Sequence, residues 1–477
     1  MSRQVRRGWT RLDAVGRSWT RLDAVGRSWT RLDAEAGGRP TPRACVRPHP
    51  PTYDFVCPLR AGASRILGPP RIYTAFSPSP DARFLLTAYF KRPFSYLVPC
   101  GRFPKVVQIW DAATGAPLHE VADLPLAENI PIAFNSVRQG PRNIGWRDDH
   151  PATIFWAECQ DKGDPAIAAE PRDIVYTAPV NGGAGLGAGA GLAPLSDVRE
   201  VCRTNLRFMG ISWCDEDLAI CYESEYKTRR SVWTLIAPGR PGEPGRVLFD
   251  RNYEDSYTDP GAPMTRRTAR DTRVLMTIDS EGSSPGRKLL MQGQGATPEG
   301  YRPFLDVLDL ATRDTRRVWT CEGAQYAKLG SLLNDEPGRT YRSLDGLEMF
   351  MTRETPSDPT QYYWVSLRDA GDNAPVQVTE RQMTYFPHPY PTLKDHTKEV
   401  LRYTRDDGVE LNGTLYLPPG WDKERDGPLP CILVSAPAAQ TGGGDGVVGG
   451  WGGRGSGVGG RGRSGSVGSV VVGAAFH

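Results

Sequence analysis

Trp213–Asp250 reads WCDEDLAICYESEYKTRRSVWTLIAPGRPGEPGRVLFD, and two signals stand in it side by side. WCDEDLAICYES (Trp213–Ser224) is a turn carrying Asp followed by an apolar strand, and VWTLIAPGRPGEPGRVLFD (from Val232) is two alternating strands around a Gly/Pro turn. The second signal returns in VVQIWDAATGAPLHEV (Val106–Val121), DIVYTAPV (from Asp173), FLDVLDLATRDTRRVWT (from Phe304) and YYWVSLRDAGDNAPVQVT (from Tyr362). The first returns ahead of most of these hairpins, in SPSPDARFLLTAY (Ser77–Tyr89), WRDDHPATIFWAE (Trp146–Glu158) and SLDGLEMFMTRET (Ser343–Thr355). Two hairpins per unit make a four-stranded sheet, and units that start about 55 to 70 residues apart suit the blades of a β-propeller with loop insertions. A β-sandwich or unrelated antiparallel sheets would also use short strands and turns. The paired recurrence of both signals favours the propeller, with about five recognisable four-stranded blades between residues 71 and 399.

The bulk numbers fit such a protein. The 477 residues are 39% hydrophobic and 24% charged, with 53 Gly and 42 Pro, so part of the chain is expected not to be globular. The 58 basic and 55 acidic residues are mixed along the chain and leave a net charge of +3, which supplies no general field for nucleic acid. The nine cysteines, Cys45, Cys57, Cys100, Cys159, Cys202, Cys214, Cys221, Cys321 and Cys431, are scattered without CxxC spacing. They read as free thiols in a reducing compartment rather than as a disulfide framework or zinc site. No stretch approaches the roughly 18 to 20 apolar residues that span a bilayer, so a soluble protein without a membrane partner is expected.

Residues 1–70 look different. Three ten-residue repeats, RRGWTRLDAV, GRSWTRLDAV and GRSWTRLDAE, place Trp9, Leu12, Val15, Trp19, Leu22, Val25, Trp29 and Leu32 at spacings of three and four. That spacing predicts an apolar stripe on a helix flanked by arginines. An Arg-rich amphipathic N-terminus fits an organelle transit peptide; three aspartates and the near identity of the repeats fit a recent duplication instead. From Ala36 to about Pro70 the chain reads as a Pro- and Arg-rich linker or disorder. Gly182–Gly191 is a low-complexity loop without a phosphate-loop Lys.

Residues 400–437 open a second unit. Val400–Thr404 and Val409–Leu417 alternate around Asp406, Asp407 and Gly408 as a hairpin, Pro418–Pro430 forms a turn-rich loop, and Cys431–Ser435 is a continuous apolar run. Such a run suits a strand buried on both faces. Hairpin, PPG loop and buried strand together are how an α/β-hydrolase domain commonly opens.

From about Tyr73 to Pro437 the chain resembles the prolyl oligopeptidase family of serine peptidases, and more narrowly its glutamyl endopeptidase branch. The resemblance is carried by FSPSPDARFLLTAYFKRPFSYLVPCGRFP (Phe76–Pro104), GWRDDHPATIFWAE, DSYTDPGAP (Asp255–Pro263), GQGATPEGYRPFLD (Gly293–Asp306) and DGVELNGTLYLPPGWD (Asp407–Asp422). The last is shared widely across the family; the first and fourth together are narrow. The resemblance implies a propeller that restricts access to peptides, a C-terminal α/β-hydrolase domain with a Ser, Asp, His triad, peptide substrates cleaved after glutamate, and no cofactor.

The chemistry itself does not appear in the sequence. An α/β-hydrolase nucleophile sits in G-x-S-x-G, followed by Asp or Glu and then His. No G-x-S-x-G occurs; Gly210–Cys214 (GISWC) and Gly462–Ser466 (GRSGS) fail at the last position, so neither Ser212 nor Ser464 reads as a nucleophile. His49, His119, His150, His388 and His396 precede the hydrolase strand and His477 closes the tail, so none stands where a triad base belongs. No two of them have metal-ligand spacing. Ala436 occupies the position where family members often carry an oxyanion-hole Tyr. Arg229, Arg230, Arg266 and Arg267 invite a glutamate-binding reading but fit solvated loop charges better. No catalytic, cofactor-binding or metal residue is therefore assigned.

Residues 438–477 form a Gly/Arg/Ser-rich tail, expected to be disordered. Arg454, Arg461 and Arg463 could in principle touch RNA, but three arginines and few aromatics argue against it. A shifted reading frame or retained intron would give the same composition. The 40 residues after Pro437 are far fewer than the order of 150 that a doubly wound domain takes. The chain is expected to be a fragment of a family peptidase, inactive as written; the alternative is a non-catalytic propeller that binds peptides or a partner protein. The resemblance implies the chloroplast stroma, with the cytoplasm otherwise. Nothing in the sequence sets an oligomeric state.

Overall fold

Apolar residues that alternate between turns can bury a sheet face only against another sheet, and this chain solves that by stacking sheets side by side. The computed structural model describes residues 18–22, 28–32, 45–49, 52–59, 63–181, 192, 194–279, 286–369, 376–408, 410–435 and 469–474. Five sheets follow one another from residue 72 to 382, each built around a four-stranded antiparallel meander. Blade one is Ile72–Pro78, Phe84–Phe90, Lys105–Asp111 and Pro117–Leu124; blade two is Arg142–Trp146, Thr153–Cys159, Asp173–Pro179 and Arg199–Thr204. Blade three is Arg207–Asp215, Leu218–Glu225, Arg230–Ile236 and Arg246–Asn252, and blade five is Tyr326–Leu332, Leu347–Glu354, Gln361–Arg368 and Gln377–Gln382. The described residues are mainly β and form a partial propeller of five blades. No sheet pairing among the described residues joins blade five back to blade one.

Blade four departs from the pattern. Its inner strand is split into Ala262–Pro263 and Thr277–Asp279, both paired with Arg287–Gly293, while Phe304–Asp309 and Thr315–Thr320 complete the sheet. The hairpin Thr265–Arg267 with Arg273–Leu275 is inserted between the two halves. An interrupted inner strand leaves no Asp turn followed by an apolar run, which is why the first signal does not precede the fourth hairpin.

Burial follows position in the blade. Phe84–Phe90 and Lys105–Asp111, the middle strands of blade one, are buried nearly throughout, whereas the outer Pro117–Leu124 alternates. In blade one both faces of these strands are covered, one by blade two and the other by Leu67 with Tyr73 and Phe76, so they read as continuous apolar runs. The core is accordingly a series of layers between blades. Phe84, Ile109 and Trp146 join blades one and two; Val175, Phe208 and Trp213 join two and three; Ile220, Leu289 and Met291 join three and four; Leu305, Leu329 and Met351 join four and five. Each fully buried side chain of this size contributes about 1.5–3 kcal/mol of apolar transfer.

Blades two and three are also tied by charge. Arg207, from the first strand of blade three, donates through Nη1 to Asp173 at 2.8 Å, through Nη2 to Asp161, and through Nε to the Asn135 carbonyl at 2.9 Å. Arg142 reaches Asp173 at 2.5 Å and Arg172 reaches Asp161 at 2.9 Å, while the Phe208 amide donates to Asp173 at 2.7 Å. Both aspartates are fully buried. Each carboxylate faces two guanidinium groups, and further hydrogen bonds help to satisfy the buried charges.

The terminal segments differ from expectation. The repeats, whose spacing predicts a helix, are described at Ser18–Leu22 and Ser28–Leu32, which pair as antiparallel strands with Trp19 opposite Arg31 and Arg21 opposite Trp29. Trp and Thr favour extended backbone, and each repeat carries a glycine, a poor helix former. The stretch read as linker holds a three-stranded sheet, Cys45–His49, Thr52–Leu59 and Ala63–Ile66. In the tail, Ser469–Ala474 (SVVVGA) is a strand of β-branched valines inserted between Glu410–Leu417 and Cys431–Ser435. The rest of the tail and Gly182–Gly191 lie outside the described residues.

The second unit opens as its sequence predicts, with Thr397–Thr404 paired to Glu410–Leu417 and a strand at Cys431–Ser435. The α-helix described here is a single turn, Lys423–Asp426, capped by the Asp422 carboxylate on the Glu424 and Arg425 amides. Cys431 and Ile432 are exposed rather than buried on both faces, because no described helix packs against this sheet.

Candidate functional site

Two loops quoted above for their narrow resemblance meet in space. In DSYTDPGAP the Asp255 carboxylate accepts from the Tyr257 amide at 3.0 Å and the Thr258 hydroxyl at 2.6 Å, and Asp259 accepts from the Gly261 amide at 3.0 Å. These Asx-type turns curl the loop over the edge of blade three. In GQGATPEGYRPF a small hairpin forms, Ala296–Thr297 with Gly300–Tyr301, closed by the Arg302 amide on the Gly295 carbonyl at 2.7 Å. Gly295 has φ +58°, and a Cβ there would lie 2.0 Å from the Arg302 carbonyl oxygen, so the hairpin requires glycine at this point.

Between the loops lies a cleft of about 330 Å³, floored by Phe249, Met291, Phe304 and Leu308 and walled by Tyr257, Thr258, Thr297, Arg302, Asp306 and Arg317. Asp306 is buried, which pushes its carboxyl above the ordinary range while the hydrogen-bonded Arg317 pulls it back. Arg317 holds Asp306 through Nε and Nη2 and stacks over Phe304 at 4.4 Å. That pair is internally neutral. Asp259 stands 3.8 Å from Arg251. Arg302 is different: its Nη1 donates to the Gly323 carbonyl, and no carboxylate among the described residues forms an ion pair with it. The cleft therefore presents an apolar floor, hydroxyl groups and a guanidinium available to an anion. Arg402, from the hairpin that opens the second unit, donates to the Pro298 carbonyl at 2.8 Å and ties that hairpin to the loop bearing Arg302.

A second cluster gathers where the inner turns of blades two and three meet. Arg147, buried, chelates Asp149 at 2.6 and 3.1 Å and lies over Trp213 at 4.5 Å, while His150 reaches Glu216 at 2.5 Å. Thr272 donates to the Asp148 carbonyl at 2.5 Å. Burial, with the neighbouring Asp149, pushes the Asp148 carboxyl up to about 7. A carboxyl raised above its unfolded value contributes stability at low pH that is lost as pH rises through about 7. Asp148→Asn is therefore expected to flatten the fall in melting temperature between pH 5 and pH 8 relative to the parent chain; an unchanged slope would show that the group does not titrate there.

The remaining sequence candidates stay apart. Ser212 accepts a hydrogen bond from the Tyr222 hydroxyl at 3.1 Å inside blade three, and among the described residues no histidine hydrogen-bonds to it. His119 contacts the Asn181 carbonyl at 3.3 Å, the His388 Nδ1 accepts from the Tyr390 amide at 3.1 Å, and His396 stacks on Tyr416 at 5.5 Å. His49 lies in the strand Cys45–His49, while Ala436, Ser464 and His477 lie outside the described residues. Arg229 pairs with Glu254 at 3.0 Å, Arg230 with Asp250 at 2.7 Å and Arg267 with Asp271 at 2.6 Å; Arg266 lies in the inserted strand Thr265–Arg267. Arg302, which sequence reading passed over, is the cleft-lining arginine with no carboxylate ion pair among the described residues. Its signal was its place inside a Gly/Pro-rich turn of a narrow motif. Among the described residues no group of three or more His, Cys, Asp or Glu gathers as a metal site, and no helix is long and apolar enough to cross a membrane.

No family model matches the chain. The chain is 43% identical over 379 residues to the probable chloroplastic glutamyl endopeptidase of Oryza sativa subsp. japonica, covering 79% of this chain and 38% of the relative. It is 43% identical over 376 residues to the protein of the same name from Arabidopsis thaliana, covering 79% and 37%. The chain thus spans under two fifths of the length of these relatives. Among solved structures, acylaminoacyl peptidase of Pyrococcus horikoshii aligns with 83% of this chain and 54% of its own at 12% identity and TM-score 0.37. The β-propeller domain of the Trilobed protease from Pyrococcus furiosus aligns with 78% and 91% at 11% identity and TM-score 0.32. Over 79% of its length the chain is similar to proteins named probable glutamyl endopeptidase, and its successive four-stranded blades lead into a hairpin and an apolar strand.

Proposed function

We propose that these blades are the peptide-admitting propeller of a serine peptidase that cleaves after glutamate in the chloroplast stroma, and that the 477-residue polypeptide binds peptide without cutting it. The observation that carries the reading is the 43% identity over 379 residues to relatives named probable glutamyl endopeptidase. Hydrolysis needs a nucleophile within reach of a base, and the sequence offers no G-x-S-x-G and no histidine beside Ser212. What the described residues do offer is recognition. In the interblade cleft Arg302 would take a side-chain carboxylate by a charge-assisted hydrogen bond, while Phe249 and Phe304 accept the apolar part of the ligand.

The test is fluorescence anisotropy with a labelled Glu-rich peptide and its Gln counterpart. The parent chain should prefer the Glu peptide, and Arg302→Gln should weaken that binding by about tenfold, equivalent to roughly 1.4 kcal/mol, while leaving the Gln peptide unaffected. Equal binding of both peptides to both proteins would remove the cleft from peptide recognition. The alternative of a non-catalytic propeller that binds a partner protein uses the same cleft and predicts binding that does not depend on glutamate.

A further inference from the structure

We propose that Cys202 and Cys221 form a redox-controlled disulfide that clasps blade two to blade three. Cys202 lies on the outer strand of blade two and Cys221 on the second strand of blade three, and their sulfurs stand 3.6 Å apart. They belong to different sheets, so the bond would cross the interblade layer rather than close a local turn. Their side chains meet within the layer formed by Val175, Val201, Phe208 and Trp213. Cys100, Cys159, Cys214, Cys321 and Cys431 have different surroundings. Cys214 donates to Asp215 and to the Leu275 carbonyl, Cys321 donates to the Gln325 carbonyl, Cys159 donates to the Arg138 carbonyl, and Cys100 and Cys431 are exposed.

The chemistry is thiol–disulfide exchange with a small disulfide such as glutathione disulfide. Cys202 is half-buried and Cys221 buried, so Cys202 meets the reagent first. Its thiolate attacks one sulfur of glutathione disulfide, forming a mixed disulfide and expelling one glutathione thiolate. Cys221, whose thiol is pushed up by the adjoining Cys202 and by burial, then gives up its proton and attacks the Cys202 sulfur, expelling the second glutathione. Two protein thiols are oxidised by two electrons and one glutathione disulfide is reduced to two glutathiones, whose thiolates take up the two protons. The high proton affinity of Cys221 makes the second step slow.

The experiment treats the full chain with glutathione disulfide, blocks remaining thiols with iodoacetamide and digests with trypsin without reduction. The expected product is a peptide pair joining Glu200–Arg203 to Phe208–Lys227, with fragmentation placing the link on Cys221 rather than Cys214. Oxidation should raise the melting midpoint by about 5 °C, reversed by dithiothreitol. Cys202→Ser should remove both the cross-link and the shift. Exposed Cys100 and Cys431 report whether the oxidant reached the protein. Glutathione on those residues without the Cys202–Cys221 pair would overturn the proposal, and so would a cross-linked pair that Cys202→Ser leaves in place.

Discussion

Replacing Arg207 with alanine is expected to lower the free energy of unfolding by about 3–5 kcal/mol, the range for removing one partner from a buried ion pair. Arg207 is the only side chain among the described residues that ion-pairs with both Asp161 and Asp173, and both carboxylates are fully buried. Without it each aspartate keeps one arginine, Arg172 or Arg142, and each loses a charge-assisted hydrogen bond that water cannot replace. The Asn135 carbonyl loses its donor as well. Urea unfolding followed by tryptophan fluorescence measures the loss. A change under about 1 kcal/mol, the usual value for an exposed pair, would mean that solvent reaches the network.

Leu305→Ala carries the second large effect, a loss of about 2–5 kcal/mol. Leu305 is fully buried in the layer between blades four and five, with Leu329, Met349 and Met351 in the same cluster. Sheets this closely packed cannot collapse around the missing methyl groups, so a cavity remains. Because blades contact chiefly their sequence neighbours, the damage should be local first. Hydrogen exchange should speed up in blades four and five before blade one, and uniform acceleration along the chain would contradict nearest-neighbour coupling.

How far the sequence disclosed these features depends on where each one resides. Strands two and three of blade one are covered on both faces, so FLLTAYF and VVQIW announce themselves as unbroken apolar runs, and the outer hairpins of all five blades were legible. The inner strand of blade four was not, because Thr265–Arg267 and Arg273–Leu275 divide it into pieces of two and three residues, too short to show a period. The N-terminal repeats misled through their Trp and Leu spacing, which suits a helix until the glycine in each repeat is counted. The charge network was invisible because a loop separates Asp161 from Asp173 and two strands separate Asp173 from Arg207, and each looks alone like a turn or strand-end residue. The cleft hid for a related reason. Its loops were both quoted as motifs, but only the packing of blade four on blade three brings Tyr257 near Arg302.

The central claim, that the 477 residues bind glutamate-containing peptide without cleaving it, is tested most directly by incubating the purified chain with an internally quenched peptide containing a single glutamate. The account predicts binding, no fluorescence release above buffer and no labelling by a fluorophosphonate probe. Release of fluorescence that the same probe abolishes would contradict it.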